Sequence, residues 1–490
     1  MTYKARPFPL AKYESRKTNA VPVAFEDIAE GRASVRIFGV KGDGTTDDTT
    51  AIRNAILSKE PLYWPRGIYR VTGDIGAGNI THSDADLDWF GDQARIVLDV
   101  GTAIGRMARI LIGGRDCRLQ GIVFDGAHMT AQCLRIENNS ASMDAANIGN
   151  LTIIDCEFSN ARRLTGDDGG EALLIRGGFK SVQLYDVKAS DCRLATGAGI
   201  SGTVGIGGIT VTHFGTTGYP RRVECRGLHI DKIWSEDNTY YSDQDGIKIF
   251  HPAVVDADGP YEASCSIKGS EFRNCWGRSI KSQAYNLSVD DVYFYRNEGF
   301  DRGYGNAEVA SQRGGGFFGK FRCFYDGHGP GVIVSSSFEQ PAGDPLFTPP
   351  RWATTVDHVQ AYLKDWALRQ AVQTFPRDGY VGPVSLKRVD VHGECIELLE
   401  FLVNGNSNQC FVEQCSVGEL TVHGTSGNRT MVRVRSSGAD TPFAGKVTAS
   451  GNIYRGSETA YVAEGSIAGT AATATVVAEN NDGFAGNSPP

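Results

Sequence analysis

The 490-residue sequence predicts an all-β solenoid of stacked parallel coils, and three observations carry that expectation. Sixty residues are Gly, well above the usual ~7%, yet no Gly-X-Y period is present, which excludes collagen and favours turn-rich β structure. A short apolar pattern recurs along most of the chain. Sustained 3.6-residue apolar periodicity is missing from these units, so helical and leucine-rich repeats do not fit.

The recurring unit places apolar or small residues at positions 0, 3 and 5, and usually a turn-former at position 7. It reads Leu119, Ile122, Phe124, Gly126, then Ile153, Cys156, Phe158, Asn160, then Leu184, Val187, Ala189, Asp191. Ile230, Ile233, Ser235, Asp237 follow, then Ile267, Ser270, Phe272, Asn274, then Val289, Val292, Phe294, and finally Leu386, Val389, Val391, Gly393. Occurrences from Leu119 to Val289 lie roughly 22 to 46 residues apart, within the range of solenoid repeats. One unit cannot bury its apolar face alone, whereas stacked units share a continuous core.

From the N-terminus, residues 1–34 read as a polar, basic extension without the continuous apolar core of a secretory signal. In FGVKGDGTTDDTTAIRNAI a strand ends at a Gly-Asp-Gly turn, and Asp47 or Asp48 caps a helix. Its Ile52, Ala55 and Ile56 form one apolar face that plugs the open end of the core. LYWPRGIYRVTG predicts two strands turned at Pro65 and Gly67. Coils extend over 35–480, interrupted at about 338–380 by a loop (QPAGDPLFTPPRWATT) and a helical insertion (VDHVQAYLKDWALRQAV), and 481–490 form a mobile tail.

The formal charge of −8 opposes general nucleic-acid binding, and no run of about 18 apolar residues spans a membrane. The 11 Cys lie scattered without a CxxC pair, as expected of reduced, buried side chains made in a cytoplasm. No P-loop or dinucleotide fingerprint occurs, and DADG at 256–259 and DADLD at 84–88 match no complete cation loop. Neither cofactor nor metal is expected.

Equivalent positions of adjacent coils lie about 4.8 Å apart, so distant residues form ladders. GGEALLIRG, GIGGITVTHF, SDQDGIKIFH and CWGRSIKSQA superpose on Leu173, Ile209, Ile247 and Ile280. The next column is then Leu174, Thr210, Lys248, Lys281, and two residues before the isoleucine position stand Glu171, Gly207, Asp245 and Arg278. Strand alternation puts Lys248 and Lys281 on the outer face. Asp243 and Asp245, two apart on extended chain, share a face at a spacing compatible with the paired carboxylates of an inverting glycosidase, and a retaining one stays open. Glu308 is expected on the next rung as a partner to the lysines. Glu171 with Asp167 and Asp168 makes a second acidic cluster. Arg278, Lys248 and Lys281 supply positive charge, Gln283 lies in the same strand, and Tyr240, Tyr241 and Trp276 suit sugar rings.

The stretch Phe38–Ile56 with GDGTTDDTTAI, followed by LYWPRGIY, resembles the N-terminal signature of the pectate-lyase-like right-handed parallel β-helix superfamily, and within it bacteriophage tailspike depolymerases. Gly327-His328-Gly329 and RSIK at 278–281 resemble the GHG and RIK of polygalacturonases, in reversed order along the chain. The resemblance implies a right-handed β-helix that binds and cleaves bacterial surface polysaccharide by glycosidic hydrolysis. Asp243, Asp245 and Glu308 would be catalytic, and Lys248, Arg278, Lys281, Tyr241 and Gln283 substrate-binding. It further implies a homotrimer in the virion, attached to a phage tail or baseplate protein through the N-terminal segment. β-Elimination on a uronic-acid polymer and non-enzymatic glycan binding are the alternatives on the same fold.

Overall fold

In the computed structural model the strands of the coils pair in parallel, each with its counterpart one coil later, and the stack is a right-handed parallel β-helix. Described are residues 31–76, 80–81, 86–138, 149–164, 169–197, 205–214, 218–236, 244–251, 263–284, 286–297, 307–312, 316–327, 329–338, 354–376, 384–403, 409–413, 416–419, 429–436, 444–454, 460–466 and 473–485, with short strands at 12–13, 23–24 and 28–29. The sequence-suggested Asp243, Tyr240, Tyr241, Asp167, Asp168, His328 and the DADG segment lie outside the described residues.

Each coil has three faces. The first is built by strands such as Asn150–Ile154, Ser181–Tyr185 and Arg222–Arg226, and the second by Glu157–Ser159, Lys188–Leu194 and His229–Ser235. In later coils these two faces form single bent strands, Ser264–Cys275, Leu287–Arg296 and Gly316–Asp326. The third face comprises Leu134–Asn138, Glu171–Gly177, Gly207–Thr212, Asp245–Phe250, Ile280–Gln283, Ala307–Ser311 and Val332–Phe338.

The 0, 3, 5, 7 pattern has a backbone cause. Asp155, Asp186, Gly227, Gly269 and Asp291 all have positive φ, as does Gly121, and each stands two residues after the position-0 side chain. One left-handed residue turns the chain between the first and second faces, so the next inward side chain falls at position 3 rather than 2 or 4. Position 5 follows by strand alternation. The turn-former at position 7 is a second left-handed residue, at Asn160, Asp191 and Asn274, bending the second face about one residue further on. Such conformations favour Gly, Asn and Asp, which is why these residues punctuate the repeat. The inward positions stack into columns, with Phe124 and Phe158 parallel at 5.3 Å and Phe272 and Phe294 at 5.8 Å.

One repeat is displaced. Ile230, Ile233 and Ser235 pair with Ala189, Cys192 and Leu194, so they belong to the second corner, around Lys232 with φ 58°. The coil-equivalent set is Cys225, Leu228 and Ile230, turned at Gly227. Both corners impose the same local spacing, and only the pairing register tells them apart. Lys232→Val is expected to destabilise the protein by about 1–2 kcal/mol, because a β-branched residue resists the left-handed region, whereas Lys232→Gly is tolerated. Urea unfolding of both variants measures the difference.

The expected helical insertion is also corrected. Thr354–Pro376 is a strand that runs through the faces of one coil and pairs with Gly316–Asp326 before it and Val384–Val403 after it. Val356, Val359 and Ala361 repeat the coil pattern around His358 at φ 61°, in register with Phe318, Phe321 and Cys323. Leu368, Ala371 and Val372 mimic a helical i, i+3, i+4 stripe, but the same spacing recurs one coil later in Cys395, Leu398 and Leu399, all buried. A corner between strands and a helical turn give the same apolar spacing.

At the N-terminal end the helix Thr49–Leu57 buries Ile52, Ala55 and Ile56 over the first coil, as its pattern requires. Asp47 accepts from the backbone N–H of Thr49 at 3.0 Å, while Asp48 turns back to the N–H groups of Lys41 at 2.7 Å and Gly42 at 2.9 Å. Coil pairing begins slightly earlier than residue 35, at Ala33 against Leu62.

Two carboxylates tie coils together and set an acid limit. The carboxyl of Asp191 falls to about 2 through its hydrogen bond with His128, against the opposing effect of burial, with a further bond from Trp234 Nε1 at 3.0 Å. Burial acts to raise Asp47, but bonds from Thr49 and Thr72 bring it to about 2. Both lie below the ordinary aspartate value near 3.9, so their stabilisation is complete above about pH 4 and is lost as pH falls through about 2. Unfolding midpoints measured from pH 5 to 2 should fall over that interval, and less steeply in Asp191→Asn.

Candidate functional site

The third face carries the charge that the sequence places there. Leu173, Ile209, Ile247 and Ile280 are in register on four successive coils, as are Leu174, Thr210, Lys248 and Lys281. Ile247 and Ile249 point into the core, which sends Lys248 outward. Outward lysines on a solenoid are ordinarily solvated, but Lys248 is only 6% and Lys281 9% exposed. Cations withdrawn from water are costly unless compensated, so the surroundings are built to hold charge.

The compensation is visible. Gly207 stands between Glu171 and Asp245 in the neighbouring column. A Cβ there would meet Lys248 Cε at 2.9 Å and Glu171 Cγ at 3.5 Å. The lysine therefore leans back through the space that glycine leaves and brings Nζ to 3.8 Å from Glu171 Oε1. Glu171 Oε2 accepts from the N–H of Gly170 at 3.0 Å and from Gln132 Nε2 at 3.4 Å. Its side chain retains 12% exposure. Lys281 Nζ lies 5.5 Å over the Phe250 ring, and Gln283 donates to Gln312 Oε1 at 2.9 Å one coil on.

Asp245 is fully buried. Its Oδ1 accepts from the backbone N–H of Arg278 at 2.9 Å, and Arg278 Nη1 stands 3.4 Å from Oδ2. This pair closes the bend that starts the strand and orients Arg278, whose side chain keeps some exposure. Glu308 does not form the rung after Lys281. That rung is Ala310, and Glu308 stands beside Ser279. It is fully buried, accepts from Ser279 Oγ and from Arg296 Nε at 2.7 Å, while Arg296 Nη2 donates to the Gly277 carbonyl at 3.0 Å. Burial opposes the charge on Arg296, but Glu308 raises its pKa, so the pair is an internal ion pair under the face. Sequence spacing could not reveal Arg296, which arrives from the preceding strand.

Trp276 is buried and offers no ring platform at the surface. Gln132, which steadies Glu171, is not singled out by the sequence, and Gly207, which admits Lys248, is legible there only as a member of the column. A glycine inside an alternating strand, as in GIGGITV, is the signal for the second. Among the described residues, no group of three His, Cys, Asp or Glu side chains could hold a metal ion. The nine cysteines from Cys117 to Cys395 are buried and free, and burial pushes thiols such as Cys192 and Cys265 up to about 12.

Two carboxylates and three cations thus converge on one sheet face: Glu171 and Asp245 with Lys248, Arg278 and Lys281. Among these described residues the surplus is positive, which suits an anionic group, and the Glu171 carboxylate keeps partial exposure beside them.

Similar structures include the catalytic unit of a thermostable GH87 alpha-1,3-glucanase from Streptomyces thermodiastaticus, at 11% identity over 94% of this chain and 70% of that one, TM-score 0.39. The Streptococcus pneumoniae surface protein and adhesin PfbA matches at 12% identity over 93% and 98%, TM-score 0.37. The A-module of the Azotobacter vinelandii mannuronan C-5 epimerase AlgE6 matches at 14% over 93% and 99%, TM-score 0.33. No curated protein matches the sequence. Residues 33–95, which hold the plugging helix and the first coils, match the family described as rhamnogalacturonase A/epimerase, pectate lyase-like, and the strand pairing makes the chain a right-handed parallel β-helix.

Proposed function

We propose that the chain is a polysaccharide-acting β-helix of the phage-tailspike kind, which binds an acidic bacterial surface polysaccharide across the third face and cleaves it by glycosidic hydrolysis. The observation that carries this reading is the covered ladder of Lys248 and Lys281 beside the partly exposed carboxylate of Glu171. Lys281 and Arg278 hold the anionic groups of the sugar chain, Lys248 holds Glu171, and Glu171 exchanges the proton with the glycosidic oxygen. Asp245 acts through Arg278 as a positioning residue. Asp243, by its place in the sequence, is the candidate for the second carboxylate that hydrolysis needs. Trimeric assembly and attachment through the N-terminal segment belong to the same proposal and rest on the tailspike resemblance.

The surplus positive charge also favours a second reading, β-elimination on a uronic-acid polymer with Lys248 as base. Digesting a panel of purified capsular, exo- and O-antigen polysaccharides separates the readings. Hydrolysis yields new reducing ends without ultraviolet absorbance, and elimination yields unsaturated ends that absorb. Binding without any shortening of chain would leave a glycan adhesin and defeat both.

A further inference from the structure

Away from the third face, an open cleft of about 740 Å³ lies at the corner between the first and second faces, across the first few coils. We propose that this cleft is a separate binding site for a neutral sugar segment. Its floor, walls and lining each have a cause in the chain. The floor is Gly91 against Gly121, packed so closely that a Cβ on either would collide with the other's carbonyl oxygen. No side chain can fill the depression from below.

One wall is raised by a bulge. Phe90 and Ala94 pair with Gln120 and Ile122, so Gly91, Asp92 and Gln93 stand opposite Gly121 alone. Bulges of this sort re-aim side chains near binding sites. Here the bulge lifts Asp92 and Gln93 over the corner, with Arg66 3.8 Å from Asp92. At one end, Tyr63 and Phe90 occupy consecutive rungs with ring centroids 6.1 Å apart and planes within 23°, forming an aromatic platform steadied by Arg32 at 5.4 Å over Phe90. The opposite wall presents Asp155, Glu157 and Lys188.

An aromatic platform facing carboxylates and amines matches the two aspects of a sugar ring, an apolar C–H face and a rim of hydroxyls. Carboxylates and cations nearly balance here: Asp92, Asp155 and Glu157 stand with Arg66, Arg95 and Lys188, and Arg95 is itself paired with Asp125. The lysine face has a positive surplus and this cleft has none, so its ligand is uncharged. The volume falls within the range of small-ligand sites, which span about 300–1,000 Å³. The cleft shares no residue with the third-face site, and its test does not depend on cleavage.

Isothermal titration of the full chain with maltohexaose, laminarihexaose and cellohexaose, and with hexagalacturonate as the acidic comparison, tests the assignment. At least one neutral hexasaccharide should bind. Tyr63→Ala and Phe90→Ala should each weaken it by about tenfold, the size of a lost aromatic anchor, while Arg322→Ala, exposed on a later coil, leaves it unchanged. Gln120→Trp, which fills the cleft from an outward position, should block binding without lowering the melting temperature. Binding of none of the neutral probes, hexagalacturonate binding that Tyr63→Ala or Gln120→Trp abolishes, or neutral-probe affinity indifferent to all three cleft variants would overturn the proposal.

Discussion

Glu308→Ala is expected to destabilise the protein by about 3–5 kcal/mol, the cost of leaving the buried Arg296 guanidinium without its counter-charge. Glu308 is fully buried and bonds Arg296 and Ser279, and Arg296 also reaches the carbonyl of Gly277 at the bend before Ile280–Gln283. The pair therefore joins the end of one strand, Leu287–Arg296, to the start of the third-face strands on two coils. Replacing both partners, in Arg296→Met with Glu308→Leu, should recover most of the loss, because apolar residues need no counter-charge. Denaturant unfolding at neutral pH reads both results. Glu308→Gln supplies the decisive contrast with a chemical role: it should weaken the fold and leave the cleavage rate of the surviving folded protein intact. A stable Glu308→Gln protein without activity would instead make Glu308 catalytic.

Glu171→Gln should give the largest loss of activity, roughly 10²- to 10⁴-fold in kcat, as expected for removal of a general acid or base. The amide keeps the shape and can still accept the bonds from Gly170 and Gln132, but it removes the counter-charge of Lys248, so some stability should be lost while the folded protein keeps its polysaccharide binding. The measurement is the rate of new reducing ends on a cleavable polysaccharide, with binding followed separately. Loss of binding together with rate would reduce Glu171 to a residue that holds Lys248. Rate loss in Lys248→Met with full activity in Glu171→Gln would shift the reaction to elimination.

Much of this architecture is legible in the sequence. The columns Leu173, Ile209, Ile247, Ile280 and Thr210, Lys248, Lys281 follow from aligning short strands, and the structure pairs them in that register. The pattern is readable because one left-handed residue per corner forces the 0, 3, 5 spacing, and only Gly, Asn and Asp adopt it readily. Where Lys232, His358 and Arg388 take the same conformation, the punctuation disappears and the reading weakens. Thr354–Pro376 looked helical for that reason, since His358 hides the corner and the i, i+3 spacing is common to both structures.

The sequence by itself determined the fold class, the plugging helix, the inward columns and the outward direction of Lys248 and Lys281. These depend on local backbone preference and strand alternation, which each short segment carries within itself. Only the tertiary structure decided that Ile230 sits at the second corner, that Lys248 leans over Gly207 to Glu171, and that Glu308 answers Arg296 instead of a lysine. These depend on which residues the coil lengths bring together. Loops of variable length change that sum without changing any local pattern, so ladders could be counted along the chain, whereas partners across it had to be seen.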